Sequence, residues 1–120
     1  MSVGTFFARR DVVLERGVYI GSYCVIGRSH IGANSQIACN VHILSGRYQH
    51  LRDEQGNTLG SESGLFEEVT IGRNCWIGTP AVVMADIGEG TTIGAGAVVT
   101  HSIPPGVVAV GNPARVVKQA

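Results

Sequence analysis

No run of apolar residues in this chain approaches the roughly 20 that a helix needs to cross a bilayer. No sign of charge predominates either: nine Lys and Arg balance nine Asp and Glu. That neutrality gives no footprint for a nucleic-acid partner, and the most basic stretch, Arg115 to Lys118, is too small to be a polybasic patch. The amino-terminal segment MSVGTFFARRDV has arginines but no apolar stretch after them, so it does not read as a secretory signal. Cys24, Cys39 and Cys75 are odd in number and match neither a disulfide framework nor a paired metal motif. They are expected to be small buried residues or turn residues of a reduced, cytoplasmic protein. Glycine-rich nucleotide loops of the Rossmann or P-loop type are missing.

What the chain has in excess is glycine, 17 in 120 residues, held in a fixed phase. Glycine does not recur every third residue, which excludes collagen. It usually follows an aliphatic residue, and the pair returns every six residues. Ile20-Gly21, Ile26-Gly27, Ile31-Gly32, Ile37 and Ile43 form one series; Ile71-Gly72, Ile77-Gly78, Val83, Ile87-Gly88, Ile93-Gly94 and Val99 form another. The spacing shortens only between Ile26 and Ile31 and between Val83 and Ile87. A helix of 3.6 residues per turn cannot hold a six-residue period on one face. Short strands broken by turns can, and hexapeptide repeats mark parallel β-helices.

Three hexapeptides per coil give about four coils in a single domain, 1–120. Leu14, Ile20 and Ile26 should point inward from the first; Ile31, Ile37 and Ile43 from the second; Ile71, Ile77 and Val83 from the third; Ile87, Ile93 and Val99 from the fourth. β-Branched side chains suit such columns because their rotamers are stiff. Asn34, Asn40 and Asn74 fall at turn positions. Residues 45–68 (SGRYQHLRDEQGNTLGSESGLFEE) are polar and aperiodic, a loop inserted between coils, and loops of that length are usually functional. Ser102-Ile103-Pro104-Pro105-Gly106 should end the stack, leaving VVAVGNPARVVKQA as an extended tail across a neighbouring surface.

TIGRNCWIG (70–78), TIGAGAVVT (92–100) and IPPGVVAVGNPARVV (103–117) together resemble the left-handed β-helix, hexapeptide-repeat acyltransferases, in particular the sugar O-acetyltransferase branch of galactoside, maltose and xenobiotic acetyltransferases. The resemblance covers about Val18 to Lys118. It implies an all-β, left-handed parallel β-helix; spacing is silent on hand, and the general rule for crossovers gives the right-handed turn. It also implies a homotrimer with active sites between prisms, acetyl-CoA lying in a groove, and a loop histidine as base. A trimer agrees with flat outer faces that need covering and with the closed symmetry usual in oligomers.

On this resemblance His50 is the catalytic base. It follows Ile43 by seven residues, about two more than in the family, and is followed by Leu51 in place of the usual proline. An imidazole titrating near neutrality can take a hydroxyl proton. His42, outward-facing by alternation with Ile43, could line the groove and touch substrate. Asp53, Glu54 and Glu62 are open choices for orienting His50. The asparagine that helps galactoside enzymes hold their acceptor has no counterpart around Gly21 to Tyr23, and Tyr23 could replace it. Trp76 faces outward beside Ile77 and borders the groove. Thr79, Ala95 and Thr100 match positions contacting the coenzyme arm, Ala95 through its backbone. Arg115 and Lys118 match the basic positions near the coenzyme phosphates, a task suited to the guanidinium fork.

The expected function is therefore acetyl-CoA-dependent O-acetylation of a sugar hydroxyl, in surface polysaccharide or a sugar precursor. An N-acetyltransferase of an amino-sugar nucleotide and a non-catalytic structural β-helix are the alternatives. γ-Type carbonic anhydrases share the prism, but the histidines here lack the spacing to converge on zinc, and no metal site is expected.

Overall fold

The computed structural model describes residues 3–9, 11–46, 51–60 and 67–120. Its strands are β1 (Phe6–Phe7), β2 (Val12–Leu14), β3 (Tyr19–Ile20), β4 (Val25–Ile26), β5 (Ser29–Ile31), β6 (Gln36–Ile37), β7 (His42–Ile43), β8 (Val69–Ile71), β9 (Trp76–Ile77), β10 (Val82–Val83), β11 (Thr92–Ile93), β12 (Val98–Val99), β13 (Val107–Val110) and β14 (Arg115–Gln119). No helix occurs among the described residues. Strands pair across coils to make three faces. Face A is β1-β4-β7-β10-β12, face B is β2-β5-β8, and face C is β3-β6-β9-β11-β13-β14. The ladders of faces A and B are parallel, as are those of face C up to β13; β13 and β14 pair antiparallel.

The register stacks like on like. Ile20, Ile37, Ile77 and Ile93 align on face C, with Ala109 next. Phe7, Ile26, Ile43, Val83 and Val99 align on face A. Leu14, Ile31 and Ile71 align on face B, and single bridges extend the column to Ile87 and Ile103. Ile31, Ile37 and Ile43 have no exposed surface, as the spacing requires. On faces A and C, two residues before most of the large inward side chains comes a small buried one: Cys24, Ser35, Val41, Cys75, Ala81, Thr91 and Ala97. These fill the narrow corners of the prism, where a larger group would not fit. Asn34, Asn40 and Asn74 turn the corners at φ of 63°, 58° and 57°, a left-handed conformation that asparagine tolerates better than most residues.

Three expectations need correcting. The first coil begins earlier, because Phe6–Phe7 already pairs with β4. Leu14 is in register with Ile31 yet 42% exposed, since β2 is the edge strand of its face and no strand among the described residues stacks beneath it. The stack also does not stop at the two prolines. Ile103 and Ala109 continue two columns, and Pro104 lies at a corner, where its carbonyl accepts from Thr91 Oγ1 at 2.7 Å and no amide need be donated. The tail is extended, but it folds back on its own chain: β14 runs antiparallel to β13 with a bulge after Val108.

The long loop leaves and returns at one corner, where the Glu67 amide donates to the Ser45 carbonyl at 3.0 Å. Within it, Arg52 and Thr58 bridge antiparallel, and the Leu59 amide donates to Leu51 at 2.7 Å, making a small hairpin.

Candidate active site

Two edges of the prism carry the residues expected to meet the coenzyme. Thr79 and Ala95 follow Ile77 and Ile93 in adjacent coils, so they stack at the corner between faces C and A. The Thr79 hydroxyl reaches back one coil and donates to the Cys39 carbonyl at 2.6 Å. Trp76 lies outward on β9, 52% exposed. It forms a cleft of about 260 Å³ with Tyr19, Gln36, Ala38, Cys39 and Thr79. Tyr19 and Gln36 were not singled out in the sequence, although each immediately precedes an inward isoleucine, as Trp76 precedes Ile77. That shared phase was the available signal.

Thr100 is elsewhere. It follows Val99 at the corner between faces A and B, with its Oγ1 3.1 Å from Nδ1 of His101. A second cleft of about 260 Å³ opens there, lined also by Glu67, Glu68, Met84, Asp86 and Ser102. The loop containing residue 50 springs from this same corner. His50 itself lies outside the described residues, as does Glu62. His42 is exposed on the outer side of face A, flanked in register by Val25 and Val82.

Arg115 and Lys118 belong to β14 at the carboxy-terminal end of the prism. Lys118 pairs with Val108, in the outward row that continues through Thr92 to Trp76. Three ladder steps separate it from Trp76, roughly 14 Å at about 4.8 Å each. Arg115 follows Ala114, whose amide donates to the Val98 carbonyl of face A at 2.9 Å. It therefore lies at the edge of Ala95, one coil beyond it. Both side chains are exposed.

The remaining candidates have structural occupations. Tyr23 holds φ at 59° and lays its ring against Gly4, where an added Cβ would come within 2.5 Å of Cδ1. Asp53 serves its own turn: Oδ1 accepts from the Gln55 and Asn57 amides, each at 2.9 Å, and Oδ2 from the Asn57 side chain at 3.2 Å. The Asn57 amide, then its side chain, holds this carboxyl below its ordinary value. Glu54 is exposed. His30 pairs with Glu15 across face B; that hydrogen bond, then one from the Ala33 amide, lowers the Glu15 carboxyl. Cys24 and Cys75 are buried and Cys39 is exposed at its corner. Burial pushes the Cys75 thiol up, so it is no ready nucleophile. Among the described residues no cluster of His, Cys, Asp or Glu could hold a metal ion.

No protein-family model matches the chain. The galactoside O-acetyltransferase of Escherichia coli K12 is 49% identical over 93 residues, 74% of this chain and 43% of that protein. The crystal structure of a maltose O-acetyltransferase from Clostridium difficile 630 superposes with a TM-score of 0.76 at 30% identity, covering 98% of this chain and 66% of the other. A galactoside acetyltransferase in complex with coenzyme A gives 0.63 at 30% identity, covering 98% and 64%. The chain spans less than half the length of the curated relatives it matches. From the six-residue columns, the motifs at its corners and these similarities, the chain belongs to the left-handed β-helix, hexapeptide-repeat acyltransferase family, on the branch that holds the sugar O-acetyltransferases.

Proposed function

We propose that the protein is an acetyl-CoA-dependent O-acetyltransferase of a sugar hydroxyl, working as a cytoplasmic homotrimer on surface polysaccharide or a sugar precursor. The observation that carries this is the division between two edges of the residues expected to meet the coenzyme. Thr79, Ala95 and Arg115 share one edge, and Thr100 and the root of the loop with His50 occupy another. Two neighbouring prisms would bring unlike edges together, which fits a site completed by a second copy. The surfaces suit the coenzyme. The cleft beside Trp76 and Thr79 is mostly apolar, and Arg115 and Lys118 offer phosphate-binding cations at the far end.

Acetyl-CoA supplies an acetyl group activated as a thioester. His50 takes the proton of the acceptor hydroxyl as its oxygen bonds to the acetyl carbon, and returns it to the sulfur as the carbon–sulfur bond breaks. His42 and Tyr23 contribute to holding the acceptor. The three cysteines carry no disulfide among them, in keeping with a reducing compartment.

An amine acceptor is the second reading, favoured by Glu67, Glu68 and Asp86 around the cleft at Thr100, which suit a cationic group. The deciding experiment is acetyl transfer against free sugars, sugar nucleotides and amines, with His50→Ala alongside. Loss of about 10²–10⁴-fold in kcat with coenzyme A affinity kept is expected for a positioned base. Full turnover of His50→Ala on the true acceptor, with His42→Ala dead, would move the role to His42.

A further inference from the structure

We infer that the amino-terminal end of the prism is an interaction surface whose partner is the same end of a second copy of this chain. Neither the acceptor nor the coenzyme enters this contact.

Three edge strands make the end: β1 on face A, β2 on face B and β3 on face C. Their backbone groups divide by alternation. The amides of Phe6 and Ala8 donate to the carbonyls of Cys24 and Ile26, that of Glu15 to Ile31, and those of Tyr19 and Gly21 to Ser35 and Ile37, at 2.8–3.0 Å. These bonds run into the stack. In a parallel ladder the N–H and C=O of the residue between point to the opposite edge. Those of Phe7, Leu14 and Ile20 are therefore directed off the end, one residue from each face. Among the described residues no strand lies there to meet them. The side chains around them are mainly apolar. Phe6 is 63% exposed, Val13 46% and Leu14 42%, and Phe7, Arg9, Val12 and Leu14 line an open hollow of about 390 Å³.

This combination selects the occupant. A lipid surface or an apolar small molecule would cover the side chains but leave the backbone N–H and C=O groups unpaired away from water, which is unfavourable. Another strand edge covers the one and pairs the other. The carboxy-terminal end of a second copy is a poor match. There the Val98 amide and carbonyl on face A are taken by Gly111 and Ala114, at 2.9 Å each. Pro104 and Pro105 follow the last residue of the face B column, and proline gives a ladder no donor. Face C ends in β14, antiparallel to the strands before it. Three edges would thus meet one. A second amino-terminal end offers all three. A two-fold axis across the ends runs each edge antiparallel to one of the other copy's and closes the contact, so growth stops at the pair. Charge permits it: among the described residues Arg9 and Arg16 stand beside Asp11 and Glu15, so like ends carry both signs.

The test is sedimentation equilibrium of the whole chain at micromolar concentration. Wild type should have twice the mass of Leu14→Lys, which sets a charge on the free edge, and twice that of Leu14→Pro, which removes the outward amide without breaking a bond to β5. Melting curves check that both fold; should Leu14→Pro not fold, the comparison rests on Leu14→Lys. Val117→Lys, at the other end, should keep the wild-type mass. Six chains falling to three supports end docking on top of the proposed homotrimer, and two falling to one supports end docking while refuting the trimer. A wild type of three chains, unchanged in Leu14→Lys, overturns end docking and leaves the trimer standing. A halved mass in Val117→Lys with both Leu14 variants unaffected also overturns it, by moving the contact to the other end. So does an undoubled wild type that floats with phosphatidylglycerol vesicles, which would give the end to a lipid surface.

Discussion

Plugging the two edges separately provides a quantitative test of the shared site. Ala95 is exposed at the corner of faces C and A, and Thr100 lies at the mouth of the cleft at the corner of faces A and B. Tryptophan at either position adds a bulky ring, large enough to fill much of a 260 Å³ cleft. If each site forms where one subunit's Ala95 edge meets the next subunit's Thr100 edge, either substitution blocks every site of a homotrimer. Mixed trimers from equal amounts of Ala95→Trp and Thr100→Trp chains should differ. A site is open when the subunit giving the first edge carries Thr100→Trp and its neighbour carries Ala95→Trp. Each condition holds about half the time, so about one quarter of sites recover, given closed threefold symmetry. The assay is the stoichiometry of coenzyme A binding by calorimetry after joint refolding from urea, which needs no knowledge of the acceptor. Melting curves of each variant check that both fold. No recovery in the mixture would refute a site shared between copies. Unimpaired binding by either single variant would refute the use of that edge.

Ile37 has no exposed surface and packs between Ile20 and Ile77 in its column; Ile37→Ala should cost about 2–5 kcal/mol in urea unfolding, and Ile37→Asp should yield no soluble fold. Wild-type melting of either would break the coil assignment. Arg115→Ala should weaken coenzyme A binding roughly tenfold and barely affect a pantetheine fragment lacking the nucleotide phosphates; equal losses would show that Arg115 does not read phosphate. The Glu15 carboxyl is lowered in the fold, mainly by His30, so its contribution is complete above its ordinary value of 4.5 and disappears as pH falls below it. Melting temperature should accordingly drop less on acidification through that range in Glu15→Gln than in wild type, and parallel curves would remove the pair from the stability of the first coils.

The fold was legible because its signal is local and repeated. A period of six over Ile20 to Val99 fits one face assignment only, and the register then aligned Ile20, Ile37, Ile77 and Ile93 as the spacing required. The ends were harder to read. Phe6–Phe7 and Ile103 to Ala109 have too few repeats to establish a period, and their place came from ladder bonds to coils already formed. The tail's return along its own chain was likewise decided by pairing with β13, a partner that residue type does not name.

The candidate site divides in the same way. Sequence by itself determined which residues face outward at the corners, since alternation puts Trp76 opposite in direction to Ile77 and the period puts Thr79 above Ala95 in phase. Only tertiary structure decided that Asp53 is spent within its own turn and that the hydroxyl of Thr79 is committed to Cys39. Side-chain direction is a local property fixed by strand geometry. The edge a residue shares, and the partner its hydrogen bond finds, depend on how coils distant in sequence are stacked, and a 40-residue separation leaves no trace in local pattern.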